Sequence, residues 1–192
     1  RTKSRGLGDV YKRQVLVKAA TIISMSKSFS VFSSPFSFIA TLFGIGRLPI
    51  APGTWGSLVA LCSYIFLVIY FAWNLQIVIL VTGLIIFFSI WICEKATLSL
   101  PQSEKDQKSI VLDEFAGLWV ACLPAAGILM VKELLLFSLL AFIFFRIFDI
   151  WKPIPINLID KNFKNGFGIV ADDLIAGVYS AIVTSLIFYL LF

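Results

Sequence analysis

The chain has 192 residues, is 59% hydrophobic and 14% charged, and carries a net charge of +5. Its mean hydropathy of +0.96 excludes an ordinary soluble core, because soluble domains run near half apolar and about a quarter charged. The absence of histidine excludes phosphohistidine chemistry, His-assisted attack and His metal ligands together.

In chain order, the opening RTKSRGLGDVYKRQ is basic and unlike the rest. Residues 1–24 are expected to be a non-native or disordered extension, with synthesis starting at Met25 and one membrane domain over 25–192. Val31 to Phe43 is apolar and Ser-rich, as suits a helix lying against the headgroups. The loop Gly44 to Ser57 is rich in Gly and Pro and leads into the first of five apolar stretches. These run Leu58–Trp73, Leu75–Cys93, Phe115–Val131, Leu134–Ile150 and Leu174–Phe192. Each approaches the ~20 residues a helix needs to cross a bilayer core, and only helix satisfies backbone groups in lipid. The predicted fold is all-α: an integral membrane bundle of four to five hydrophobic helices, with polar catalytic loops on one side. Cys62, Cys93 and Cys122 fall inside apolar stretches without paired spacing and read as small buried hydrophobes.

The connections set the threading. Asn74 and Lys132 mark tight turns, whereas the other polar segments are long, so the long segments share one side. Fifteen of the sixteen Lys and Arg lie on that side, and nine of ten once residues 1–24 are set aside. The positive-inside rule makes it cytoplasmic.

That side also collects acids. Asp113 and Glu114 are expected to open the third span, Asp149 to close the fourth, and Asp172 and Asp173 to open the fifth; Asp106 lies seven residues before Asp113. The plain reading of Asp113 or Asp172 is an N-cap at the positive end of a helix. It leaves the doubled acids unexplained, and also Asp149, which stands at a helix C-terminal end where the dipole disfavours an anion. Five carboxylates without His or Cys suit a hard divalent cation such as Mg²⁺. Arg146 shares a helix face with Asp149 and offers a planar fork to phosphate oxygens; pairing with Asp149 is the alternative. Lys152 either meets the same phosphate or snorkels to the headgroups. Thr54 and Ser57, and the backbone of Gly166 and Gly168, are candidates for holding phosphate at helix N-termini.

Four segments, GIGRLPIAPGTWGSL, IVLDEFAG, FRIFDIWKPIP and GFGIVADDLIAG, resemble in order the signature blocks of the phosphatidylglycerophosphatase A family, from about Phe43 to the C-terminus. The resemblance implies Mg²⁺-dependent hydrolysis of phosphatidylglycerophosphate to phosphatidylglycerol, a step of phospholipid biosynthesis, in the inner membrane of bacteria. It places the family's acids on Asp113, Glu114, Asp149, Asp172 and Asp173 as catalytic and metal-holding residues, and its bases on Arg146 and Lys152. Asn165 stands where Gly is common and Val170 where Met is common. The expected partners are the lipid substrate and the membrane, with no nucleic acid. The competing readings are a transporter using the acids as an ion pathway and another lipid-headgroup phosphotransferase. The first places its acids in mid-span, and the second lacks its DG-x₂-AR pattern here.

Overall fold

A computed structural model describes residues 31–98, 100, 107–162 and 165–191, and among them every regular element is helical. The expected boundary near residue 25, and Asp106, lie outside the described residues. A short helix α1 (Pro35–Ala40) leads through a 3₁₀ turn (Ile45–Arg47) to α2 (Pro52–Tyr70), α3 (Leu75–Thr97) and α4 (Leu112–Cys122). After a second 3₁₀ segment (Leu123–Gly127) come α5 (Val131–Trp151), α6 (Ile156–Asn162) and α7 (Gly166–Leu191). Helices α2, α3, α5 and α7 are long and apolar enough to cross a membrane.

Local chemistry explains the boundaries. Pro52 sits at the first position of α2, where its missing N–H costs nothing, and Ala51 before it is left-handed. The turn into α3 uses Asn74, whose side chain accepts from the Ile77 amide at 3.0 Å, a capping contact worth about 1 kcal/mol. Lys152 ends α5 in the left-handed region with φ 47°, and Pro153 bars continuation. Ser34 caps α1 through the Ser37 amide; α1 packs on α3 and Phe36 meets Trp91 edge-on at 5.3 Å. The predicted interfacial segment is therefore a two-turn helix leaning on the bundle, with Phe32 and Phe43 left exposed.

The expected third span is corrected. The apolar run Phe115–Val131 holds an 11-residue helix and a five-residue 3₁₀ segment; alone, α4 rises only ~16 Å. Lipid length is unnecessary because α4 lies inside the bundle, packed by α2, α3, α5 and α7, with Ala116 through Cys122 all buried. Its core contacts are specific. Tyr64 donates to the Cys122 carbonyl at 2.7 Å, and Trp119 donates through Nε1 to Ser63 at 3.2 Å. By contrast the outer faces present Phe66, Leu80, Phe87, Leu139 and Leu186, the apolar exterior of a helical membrane bundle.

Helices α4 and α7 cross at glycines. A Cβ on Gly117 would stand 2.6 Å from the Asp173 carbonyl oxygen, and one on Gly177 would collide with the Gly117 carbonyl. Small residues at such crossings let helix backbones approach closely in lipid. At the opposite end, Trp73, Asn74, Gly127 and Leu129 border one apolar cavity of about 430 Å³. Both short turns therefore share that end, as the hairpin threading requires, but the second falls at residues 128–130 and not at Lys132, which lies in the first turn of α5.

Candidate active site

The α4–α7 crossing assembles the acids. Asp113 and Glu114 occupy the first turn of α4, and Asp173 lies on α7 seven residues after Gly166. One carboxylate oxygen from each lies within 4.8 Å of the others. Because α7 begins at Gly166 rather than Leu174, Asp172 and Asp173 sit too deep in the helix to cap it, which removes the plain reading for that pair. Both are buried, and they are carried on a helix rather than on the polar loops predicted. Asp113 and Glu114 keep the favourable helix dipole, and Asp113 accepts from the Glu114 amide at 3.0 Å.

Glu114 reaches across to α2. A Cβ on Gly53 would collide with Glu114 Oε1 and lie 3.3 Å from Arg146 Nη1, so only glycine leaves room there for both groups. Burial pushes the Asp113 carboxyl well above the usual range, aided by Glu114 beside it. Burial, then the charge of Asp173, raises Glu114 to about 8, with Asp113 and Arg146 acting the other way. Crowded, desolvated carboxylates hold protons unless a cation replaces them. Glu114 Oε2 is buried and lacks a hydrogen-bond partner, as a ligand atom facing a cation would. An all-oxygen donor set fits a hard divalent ion.

The bases lie beside this cluster. Arg146 Nη1 donates to Asp149 Oδ2 at 2.5 Å and to Ser57 Oγ at 3.4 Å, while the Ser57 hydroxyl donates to the Gly53 carbonyl at 2.8 Å. The predicted Arg146–Asp149 pairing is thus present, yet Arg146 Nε is buried without a partner. Ser57 is wholly buried and positions Arg146. Asp149 also faces Asp173 and Glu114. Lys152 does not snorkel: its Nζ donates to Asp172 Oδ2 at 2.7 Å, tying the end of α5 to α7. Thr54 lies half-buried in the first turn of α2, next to Gly53.

Two expected phosphate-binding amides are engaged by the protein itself. The Gly166 N–H donates to Glu94, and the Gly168 N–H donates to Asn165 Oδ1 at 2.8 Å. Gly166 is needed for close approach, since a Cβ there would meet the Glu94 backbone nitrogen at 2.5 Å. Glu94, in the last turn of α3, escaped the sequence reading. Its signal was an acid at the tip of an apolar stretch, suited to the positive end of another helix. Cys93 beside it and Cys122 are fully buried, as expected, whereas Cys62 on α2 is exposed, which corrects the buried reading for that residue.

A family model described as Phosphatidylglycerophosphatase A matches residues 38–188. The Phosphatidylglycerophosphatase A of Escherichia coli is 36% identical over 159 residues, covering 82% of this chain and 86% of that protein. The Haemophilus influenzae protein of the same name is 35% identical over 158 residues, covering 81% and 90%. A Bacteroides thetaiotaomicron relative, named as a candidate phosphatidylinositol-3-phosphatase, is 35% identical over 148 residues, covering 75% and 87%. No solved structure matches the chain.

Proposed function

The chain belongs to the phosphatidylglycerophosphatase A family, and from that premise we propose that it removes the phosphomonoester from phosphatidylglycerophosphate to yield phosphatidylglycerol. The observation that carries this reading is the meeting of Asp113, Glu114 and Asp173 at one end of a membrane bundle, beside a half-buried Arg146 whose buried Nε lacks a partner. Acids gathered at one end, not along mid-span, also speak against an ion pathway.

Asp113, Glu114 and Asp173 would hold Mg²⁺, which when bound withdraws charge from phosphoryl oxygens and activates water. The protein's own residues do the rest. Arg146 Nε has a free proton to donate to a phosphoryl oxygen, and charge-assisted bonds of this kind are the strong ones. Asp149 and Ser57 fix the guanidinium through Nη1, so its orientation is set before the substrate arrives, where preorganised charge is worth most. Lys152 adds a second positive charge, and its bond to Asp172 holds it at the mouth of the site. Gly53 keeps the path between Glu114 and Arg146 clear. The nine-to-one excess of Lys and Arg beyond residue 24 supports a site facing the cytoplasm, in the inner membrane, where phosphatidylglycerol is made.

The test is phosphate release by purified protein from phosphatidylglycerophosphate, with phosphatidylinositol 3-phosphate as the competing headgroup, each with and without Mg²⁺. Release from the first, abolished by chelation and by Asp113→Asn or Asp173→Asn, is expected. Equal release by those variants would remove the metal cluster from the chemistry, and preference for the inositol lipid would reassign the substrate.

A further inference from the structure

We propose that the apolar groove between α3 and α4 seats one acyl chain of the phospholipid whose phosphate reaches the carboxylate cluster. This rests on the phosphatase reading above and adds to it where the lipid lies. One wall carries Val81, Ile85, Phe88 and Ile92 of α3; Leu112 and Phe115 of α4 form its head. The α3 residues recur at spacings of four, three and four, so they form a single stripe along the helix. The groove holds about 210 Å³ and no polar atom opens on it. Ser89, the one polar side chain in the wall, donates to the Leu112 carbonyl at 3.4 Å.

Three features point to a substrate chain. The head of the groove lies on the same helical turn as the site, because Leu112 and Phe115, on one face of the first turn of α4, flank Asp113 and Glu114 in the chain. The groove then runs away from the acids, from Ile92 towards Val81. Eleven residues of helix rise ~16 Å, about half of the ~30 Å hydrocarbon core. A lipid in the leaflet nearest the acids has this same direction and depth. Finally, Leu84 and Phe88 on the outer rim are 49% and 48% exposed, so the groove opens sideways to lipid. A cavity of roughly 150 Å³ admits benzene, so this one takes about eight carbons of a chain.

Surrounding bilayer is as apolar as the groove, so burial alone supplies little drive. What the groove supplies is register: a chain held beside α4 fixes the glycerol and hence the phosphate, and small misplacements at a reacting centre are costly. The occupant is therefore distinguished from bulk lipid by its coupling to turnover.

The experiment compares kcat/KM for phosphatidylglycerophosphate bearing sixteen-carbon and six-carbon chains in mixed micelles. Val81→Trp fills the far end of the groove, and Leu80→Trp adds the same bulk on the lipid-facing side, where Leu80 is 64% exposed. The sixteen-to-six ratio is expected to fall about tenfold in Val81→Trp and to stay at the wild-type value in Leu80→Trp. An unchanged ratio in Val81→Trp, or an equal fall in both variants, overturns the proposal. Should Val81→Trp fail to fold, unmodified protein in phosphatidylcholine vesicles is photolabelled with a phosphatidylglycerophosphate carrying a chain-end diazirine. Labelling of residues 81–92 that phosphatidylglycerophosphate displaces, and phosphatidylcholine does not, supports the groove. Labelling elsewhere, or equal displacement by phosphatidylcholine, overturns it. Absence of phosphate release from every lipid overturns the phosphatase reading, while the photolabel still reports on the groove.

Discussion

Replacement of Gly53 by alanine separates chemistry from stability. The position is the second residue of α2, and Gly→Ala within a helix ordinarily stabilises by roughly 0.5–1 kcal/mol. Here the new methyl would collide with Glu114 Oε1, reach 3.0 Å from its carboxyl carbon and 3.3 Å from Arg146 Nη1. The carboxylate is the free end of a side chain, so it gives way by about 1 Å rather than unfolding α2. A displacement of that size at a catalytic centre costs on the order of 100-fold. Thermal unfolding in detergent should therefore hold or rise slightly, while kcat/KM falls about 100-fold and the Mg²⁺ concentration for half-maximal activity increases. Wild-type kcat/KM with an unshifted Mg²⁺ requirement would show that Glu114 does not work from the position seen.

Glu94→Ala removes the anion from the start of α7 and leaves the Gly166 amide without its acceptor; unfolding stability should fall by about 1–2 kcal/mol, with Glu94→Gln recovering part in the same denaturation assay. Glu114 titrates near 8 in the metal-free protein, raised from an ordinary 4.5, so the folded state binds more protons than the unfolded one between those values. Metal-free stability therefore declines as pH rises through that window, and the stabilisation added by Mg²⁺, read as a Tm shift, should be larger at pH 8.5 than at pH 6. Lys152 keeps 32% of its side chain exposed, so a double-mutant cycle of Lys152→Ala with Asp172→Ala should give a coupling below about 1 kcal/mol, although kcat falls in both single variants.

How much was legible depends on what each residue had to report. Asp172 and Asp173 stood out because two adjacent acids stand at the edge of an apolar stretch, where a helix cap needs only one and charge is costly. The α4 error has an equally physical origin. Hydropathy measures apolarity, and a helix buried among other helices is as apolar as one facing lipid; only Pro124 and Gly127 within the run signalled that the α-helix stops early. Ser57 was recognised as a polar group near the first helix, but its hydroxyl serves Arg146, 89 residues away, which no local pattern encodes. The same holds for Glu94 and Gly166, 72 residues apart. Helix starts were misplaced by six residues at α2 and eight at α7 because Gly, Thr and Ser at the start of α2, and two Gly and two Asp at the start of α7, lower local hydropathy without ending the helix.

The charge inventory of the site argues for the cation independently of family likeness. Asp113, Glu114, Asp149, Asp172 and Asp173 face Arg146 and Lys152 within a few side-chain contacts. Fully ionised, five negative charges would meet two positive ones, and a phosphomonoester close to a dianion at neutral pH would be repelled from the place where it must react. Protonation could relieve the excess, and the raised carboxyls of Asp113 and Glu114 are that relief in the metal-free protein. A protonated carboxyl, however, neutralises only itself and leaves nothing to attract phosphate. A divalent ion among the same oxygens cancels two charges and presents a positive face to the substrate. Arg146 alone is already committed through Nη1 to Asp149, so its Nε orients a phosphate better than it attracts one. In the proposed reaction attraction and orientation thus fall to different groups, the first to the cation that the acid cluster would hold and the second to the arginine beside it.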